Sequence, residues 1–238
     1  MVSPPRSGRL FRSQSPPSAT PPAPVPHLAP VIVHADDAII VTEKPSGLLS
    51  QPARGEERKD CLELRVQAQY PDALLVHRLD MATSGLILLA RGPEMLRRMN
   101  HAFAQRTVGK RYVATVHGRV ARDSGEIDLP LAADPDNNPR QRVDHERGKR
   151  ALTRYRVVER RGEGDAAVSR VELEPVTGRT HQLRVHLMSL GHPILGDVLY
   201  APPHSAQFYA RLHLHAAAIA FIHPERRTAM SFESAVPF

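Results

Sequence analysis

From Val31 onward, apolar and polar positions fall into short runs of two kinds. Val31–Val33 and Ala38–Thr42 read as strands, ending at the turn Lys44-Pro45-Ser46-Gly47. Leu86–Ala90 is continuously apolar and too short for a helix, which suits a central strand buried on both faces. Arg111–His117, Ala151–Val158 and Val168–Pro175 alternate, with Val171 and Leu173 opposing Glu172 and Glu174, as half-buried strands do. Leu212–Ile222 and Met230–Phe232 supply further strands. Helical spacing occurs at Cys61–Tyr70, stopped by Pro71, and after Pro93, where Leu96, Met99 and Phe103 share a stripe. A third helix of about ten residues is expected after Thr177-Gly178, with Thr180 as its N-cap. Leu183, Leu187 and Leu190 form its buried stripe, and Gly191 and Pro193 end it. Strands outnumber helices without regular alternation. The expected class is therefore α+β, a mixed and mainly antiparallel sheet flanked by helices and loops.

The first 30 residues break this pattern. They hold nine of the 22 prolines, three arginines and no acid, a composition that cannot bury a core. They are expected to form a disordered tail, with residues 31–238 as the folded domain. Arg6, Arg9 and Arg12 faintly suggest a transit peptide, but the prolines oppose the helix such a peptide needs. Over the whole 238 residues no apolar run approaches a membrane span, the longest being Gly85–Ala90 and Ala216–Ile222. Cys61 is the only cysteine, which excludes an intrachain disulfide framework and favours a reducing, cytoplasmic setting.

Charge narrows the partners. The chain carries +7 with a pI near 10.1, and residues 31–238 keep +4, from 29 basic against 25 acidic residues. A polyanion such as nucleic acid fits this balance, although aromatic residues at 5% give no broad stacking platform. Arg140 to Arg161 holds nine basic residues against Asp144, Glu146 and Glu159, either a solvated surface or a patch for phosphates.

Reactive residue types are densest in His77-Arg78-Leu79-Asp80-Met81-Ala82-Thr83-Ser84-Gly85, just ahead of the apolar strand. A carboxylate at a loop–strand junction can act as nucleophile or base, and a nearby guanidinium would keep it ionised. It can equally start an Asx turn beside a surface arginine. His213 and His215 alternate on a strand as two metal ligands could, but no nearby Asp, Glu or Cys completes a set. No metal is expected.

The wording HRLDMATSG resembles the signature of the RluA family of RNA pseudouridine synthases. Other segments match that family in order: Lys44-Pro45-Ser46-Gly47-Leu48-Leu49, Lys110-Arg111-Tyr112, Gly178 to His186 read as GRTHQLRVH, and Gly191 to Asp197. The resemblance spans roughly Val31 to Phe238. Within the family it is closest to short members that modify both large-subunit rRNA and tRNA; Asn138-Pro139-Arg140-Gln141 points the same way. Val108-Gly109 departs from the usual wording, and the proline-rich tail has no counterpart.

This resemblance implies an isomerase with a pseudouridine synthase-type catalytic domain. Such an enzyme would break the N-glycosidic bond of a flipped uridine, turn the uracil and join C5 to the ribose. Bonds broken and made balance, so no cofactor is implied, which agrees with the lack of a Walker or GxGxxG motif. Asp80 matches the essential aspartate, which either attacks C1′ or removes a proton from C2′. Tyr112 matches the tyrosine that packs on the flipped base, and Arg184 the arginine that pairs with the aspartate. Arg78 matches an arginine that helps extrude the base, and Leu183 a residue walling the pocket. Arg140, Arg142, Lys149 and Arg150 would contact RNA phosphates, and a monomer is implied. Read without the resemblance, Tyr112 and Leu183 are equally good core residues, and Arg184 is an ordinary surface arginine. A non-catalytic RNA binder with the same fold is the competing reading.

Overall fold

The computed structural model describes residues 29–55, 58–202 and 208–238. The expected tail, apart from its last two residues, lies outside them. Twelve strands are seen among the described residues. The first half of the chain contributes β1 (Val31–Ala35), β2 (Ile39–Lys44), β3 (Ala73–Leu75), β4 (Ser84–Arg91), β5 (Gly109–His117) and β6 (Ser124–Asp128). The second half adds β7 (Leu131–Ala133), β8 (Gln141–Val143), β9 (Leu152–Arg161), β10 (Val168–Pro175), β11 (Leu214–Ile222) and β12 (Ala229–Glu233). Three α-helices accompany them: α1 (Leu62–Gln67), α2 (Gly92–Ala104) and α3 (Gln182–Ser189).

Eight strands run in the order β1-β2-β4-β11-β5-β10-β9-β6; β3 joins β4 and β12 joins β11, while β7 and β8 form a separate hairpin. Every pairing is antiparallel except β4 with β11 at the centre. The α+β, mainly antiparallel expectation therefore holds.

The apolar run in β4 is explained by helices on both faces. Leu86, Leu88 and Ala90 pack with Met95 and Met99 of α2, while Ile87 and Leu89 pack with Leu62 and Val66 of α1. Each buried Leu, Ile, Val or Met among them contributes about 1.5–3 kcal/mol. Further along the sheet, α3 sets Leu183 and Leu187 against Ala114, Val116, Val171 and Leu173. Tyr112 of β5 touches both the α1 and the α3 clusters. β4, β11 and β5 lie side by side at mid-sheet, between these clusters.

Three helical expectations need correction. The α1 helix is shorter than Cys61–Tyr70, because its backbone bonds turn off at Tyr70 toward β3. Thr180 does not cap α3; His181 occupies that position with a left-handed backbone, φ 53° and ψ 18°. Nor is α3 buried along one stripe. Gln182 through Leu187 are all buried, whereas Leu190 is 38% exposed at the C-terminal end. The helix packs on β9, β10 and the β7–β8 hairpin together, so polar residues on it require internal partners.

The parallel contact sets a steric condition. Gly85 has φ +112°, and a Cβ there would lie 2.3 Å from the Ala216 carbonyl oxygen and 2.6 Å from its nitrogen. Both atoms belong to the β11 backbone and cannot move aside. Gly85→Ala is expected to lose at least about 3 kcal/mol of stability in denaturant unfolding. An unchanged unfolding midpoint would show that the two strands separate freely.

Candidate active site

Asp80 stands in the loop that enters central strand β4. The segment Lys44–Ser50 holds that loop by its backbone. The Leu79 carbonyl accepts from Ser50 Oγ at 2.8 Å, and the Ala82 carbonyl from Ser46 Oγ at 2.7 Å. The Met81 carbonyl accepts from the Gly47 N–H at 2.8 Å and from Lys44 Nζ at 3.0 Å. Lys44 is 1% exposed, and its ammonium also donates to the carbonyls of Leu48 and Pro45. Burial pushes its pKa down to about 7, opposed by Asp80 and reinforced by Arg211. Its carbonyl acceptors match the three N–H bonds of the charged form. The two motifs KPSG and HRLDMATSG are therefore one structural unit.

The Asp80 side chain remains 26% exposed. Arg184 Nη1 reaches its Oδ2 at 3.4 Å, and His181 Nε2 lies 3.9 Å from the same oxygen. Among the described residues no hydrogen bond reaches Oδ1. One carboxylate oxygen is thus held, and the other is left without a hydrogen bond among the described residues.

Arg184 is 4% exposed and faces two carboxylates. Its Nε and Nη2 donate to Asp197 Oδ2 and Oδ1 at 2.8 and 2.7 Å, a bidentate pair, while its guanidinium sits 5.1 Å from the Tyr200 ring centre. Burial alone would lower the guanidinium pKa, but Asp197 and Asp80 outweigh it and raise it. Asp197 is fully buried and also accepts from the N–H groups of Leu199 and Tyr200. The surface position an isolated sequence reading gives Arg184 is thus replaced by a buried, doubly paired one.

Tyr112 projects from β5 opposite Leu173 and Ala216. Burial and the nearby Asp80 charge push its phenol pKa upward, keeping it neutral. Leu183 is buried beside it in the same cluster. Arg78 is exposed on the Asp80 loop. His77 turns inward: its Nε2 accepts the Leu88 N–H at 3.1 Å, and burial, aided by Lys110, lowers its pKa to about 3. It is a neutral structural acceptor.

The basic stretch looks different once strands are paired. Arg154 meets Glu126 and Glu174, Arg156 meets Glu172, Arg160 meets Asp123 and Arg161 meets Glu159. Apart from Glu159, these acids are distant in sequence, and they offset the charge of the part in β9. Toward the β7–β8 hairpin, Arg142 lies near Asp134 and Asp144, and Arg150 is 3.9 Å from Asp128. Arg140 and Lys149 are exposed, with no ion pair to their side chains among the described residues. His215 uses both ring nitrogens on Ser84 and Ser234, at 2.7 and 2.9 Å.

Sequence reading missed Lys44, Asp197, Tyr200 and His181 as members of the site. Lys44, Asp197 and His181 stood inside matched segments, but only the fold brings them to Asp80.

The loop entering the central strand β4 thus carries a carboxylate backed by a buried guanidinium that a second, buried carboxylate holds in place. The profile of the RNA pseudouridylate synthase family matches residues 38–189. The chain belongs to that family and is an RNA pseudouridine synthase, an isomerase. It is 47% identical over 208 residues to the dual-specificity RNA pseudouridine synthase RluA of Yersinia pestis, covering 87% of this chain and all of that one. It is 48% identical to the Escherichia coli K12 protein of the same name, covering 87% and 94%. Among solved structures, human RNA pseudouridylate synthase domain containing 1 aligns with a TM-score of 0.73 at 26% identity, covering 88% and 84%. Human RNA pseudouridylate synthase domain containing 4 gives 0.67 at 26%, covering 87% and 88%. Among the described residues no helix is long and apolar enough to cross a membrane.

Proposed function

We propose that this enzyme isomerises uridines in both large-subunit rRNA and the tRNA anticodon loop, with Asp80 as the reacting group. The observation that carries this reading is the asymmetry of Asp80, with Oδ2 facing Arg184 and His181, no hydrogen bond to Oδ1 among the described residues, and Tyr112 near enough to feel the carboxylate charge. The breadth of substrate rests on the resemblance to short family members and on the dual-specificity relatives. The target uridine leaves its stack, at a cost of a few kcal/mol that is lower in a loop. Arg78 helps to extrude it, Tyr112 packs against the uracil, and Leu183 walls the pocket. Asp80 Oδ1 then attacks C1′ and displaces N1 of the uracil, or takes the C2′ proton as the N1–C1′ bond breaks, while Arg184 remains paired to Asp197 as the Asp80 charge is used. The uracil turns and C5 bonds to C1′, as the Asp80–C1′ bond breaks or Asp80 returns the proton to C2′; the C5 proton leaves to solvent and N1 takes one up, so the atoms balance. The balance requires no cofactor, and the enzyme acts as a cytoplasmic monomer.

Tritium release from C5-labelled uridine in tRNA and large-subunit rRNA transcripts tests this. Release from both RNAs is expected. Release from one alone would remove the dual specificity, and none from either would favour an RNA binder that lacks the chemistry.

The hairpin supplies a second check. Replacing Arg140, Arg142, Lys149 and Arg150 together by Gln should weaken RNA binding and lower its log–log salt slope by about 1 to 3. The smaller value applies if Arg142 and Arg150 stay with their acids. An unchanged slope would mean that this surface faces away from RNA.

A further inference from the structure

The backbone N–H of Gln141, in β8, donates to the Tyr200 hydroxyl at 2.7 Å. That hydroxyl lies 2.7 Å from His181 Nδ1, its other hydrogen-bond neighbour among the described residues. Tyr200 is buried, so its single proton goes to Nδ1, the available acceptor. Nδ1 is therefore unprotonated, and the ring proton of a neutral imidazole must sit on Nε2. Nε2 faces Asp80 Oδ2 across 3.9 Å. The ring is held there by a backbone that a non-glycine residue rarely adopts, φ 53°, at the first turn of α3. Asp80 faces His181 from the loop before β4, Arg184 from α3, and Asp197 and Tyr200 from the segment after α3.

We propose that His181 is a second active-site partner of Asp80, a neutral imidazole locked as the Nε2–H tautomer that donates to Oδ2 when bound RNA closes the gap. With Arg184 on the same oxygen, this donor fixes the carboxylate plane and leaves Oδ1 to react. The chain Gln141–Tyr200–His181 also links the hairpin bearing Arg140 and Arg142 to the reacting carboxylate. Contact with RNA on the hairpin is thereby felt at Asp80. Burial holds the imidazole below its ordinary pKa, against the pull of Asp80, so it works as a neutral donor near pH 7. The inference rests on the reading of Asp80 as the reacting group.

Two substitutions separate donor from scaffold. In His181→Asn the amide keeps an acceptor for Tyr200 and tolerates the left-handed backbone, but no longer reaches Asp80. In His181→Gln a longer amide restores an N–H near the Nε2 position. Single-turnover rates and RNA Kd are measured for both, with thermal melting to confirm folding and Asp80→Asn as reference. His181→Asn should react about 10- to 100-fold more slowly with RNA Kd within about twofold, and Gln should recover most of the rate. Ring ¹⁵N shifts of the wild type should show Nδ1 as the unprotonated nitrogen. A wild-type rate in the Asn variant, no recovery by Gln, or a protonated Nδ1 would each overturn the role of His181 while an inactive Asp80→Asn leaves the Asp80 reading standing. Turnover by Asp80→Asn would instead remove both.

Discussion

Asp80→Asn should lower turnover by at least about 10³-fold while changing RNA affinity by no more than about twofold. The amide has the shape of the carboxylate but is neither a nucleophile nor a base of useful strength. The rest of the site should survive the change. Arg184 contacts Asp80 through one 3.4 Å bond and retains its two shorter bonds to Asp197, so its charge stays compensated. Lys44 keeps its carbonyl acceptors, which hold the loop backbone regardless of the side chain at 80. Asp80 is also no phosphate contact, so binding should not depend on it. Single-turnover tritium release beside filter binding reads both quantities. Turnover within tenfold of wild type would sink the assignment of Asp80.

Asp197→Asn is expected to be the more damaging change to the protein as a whole. It should cost about 3–5 kcal/mol of stability, the usual price of breaking a buried ion pair from one side. Asp197 accepts from Arg184 Nε and Nη2 and from the N–H groups of Leu199 and Tyr200, and has no access to water. An amide turns one acceptor oxygen into a donor and leaves Asp80 as the one carboxylate paired with Arg184 among the described residues. The guanidinium then shifts toward Asp80, and a displacement near 1 Å is enough to slow the reaction about 10²-fold. Chemical denaturation and single-turnover rates on the folded fraction separate the two effects. Unchanged stability and rate together would mean that Asp197 does not set the position of Arg184.

The two predictions show how unevenly the site was legible. The candidates Asp80, Tyr112 and Arg184 stand out in the sequence because each lies in a run of several matched residues. The contacts of Asp197 with Arg184 and of His181 with Tyr200 and Asp80 are made by the fold, and no local pattern encodes them. For Arg184 the helical stripe even pointed the wrong way, since α3 is buried on every side. The charge of Arg140 to Arg161 was overestimated for a related reason: a sum along the chain omits Glu126, Glu172 and Glu174, which arrive across the sheet.

The sequence by itself determined the class of the fold, the central strand and the reaction family. Period-two alternation and a continuous apolar run are local consequences of where side chains point in a strand, and a nine-residue signature names its chemistry without coordinates. Only the tertiary structure decided which carboxylate oxygen is free, which acid holds Arg184, and which histidine nitrogen faces Asp80. Those properties arise between segments far apart in the chain. Burial makes an unpaired polar group costly, so each buried group takes the partner that the fold brings within about 3 Å.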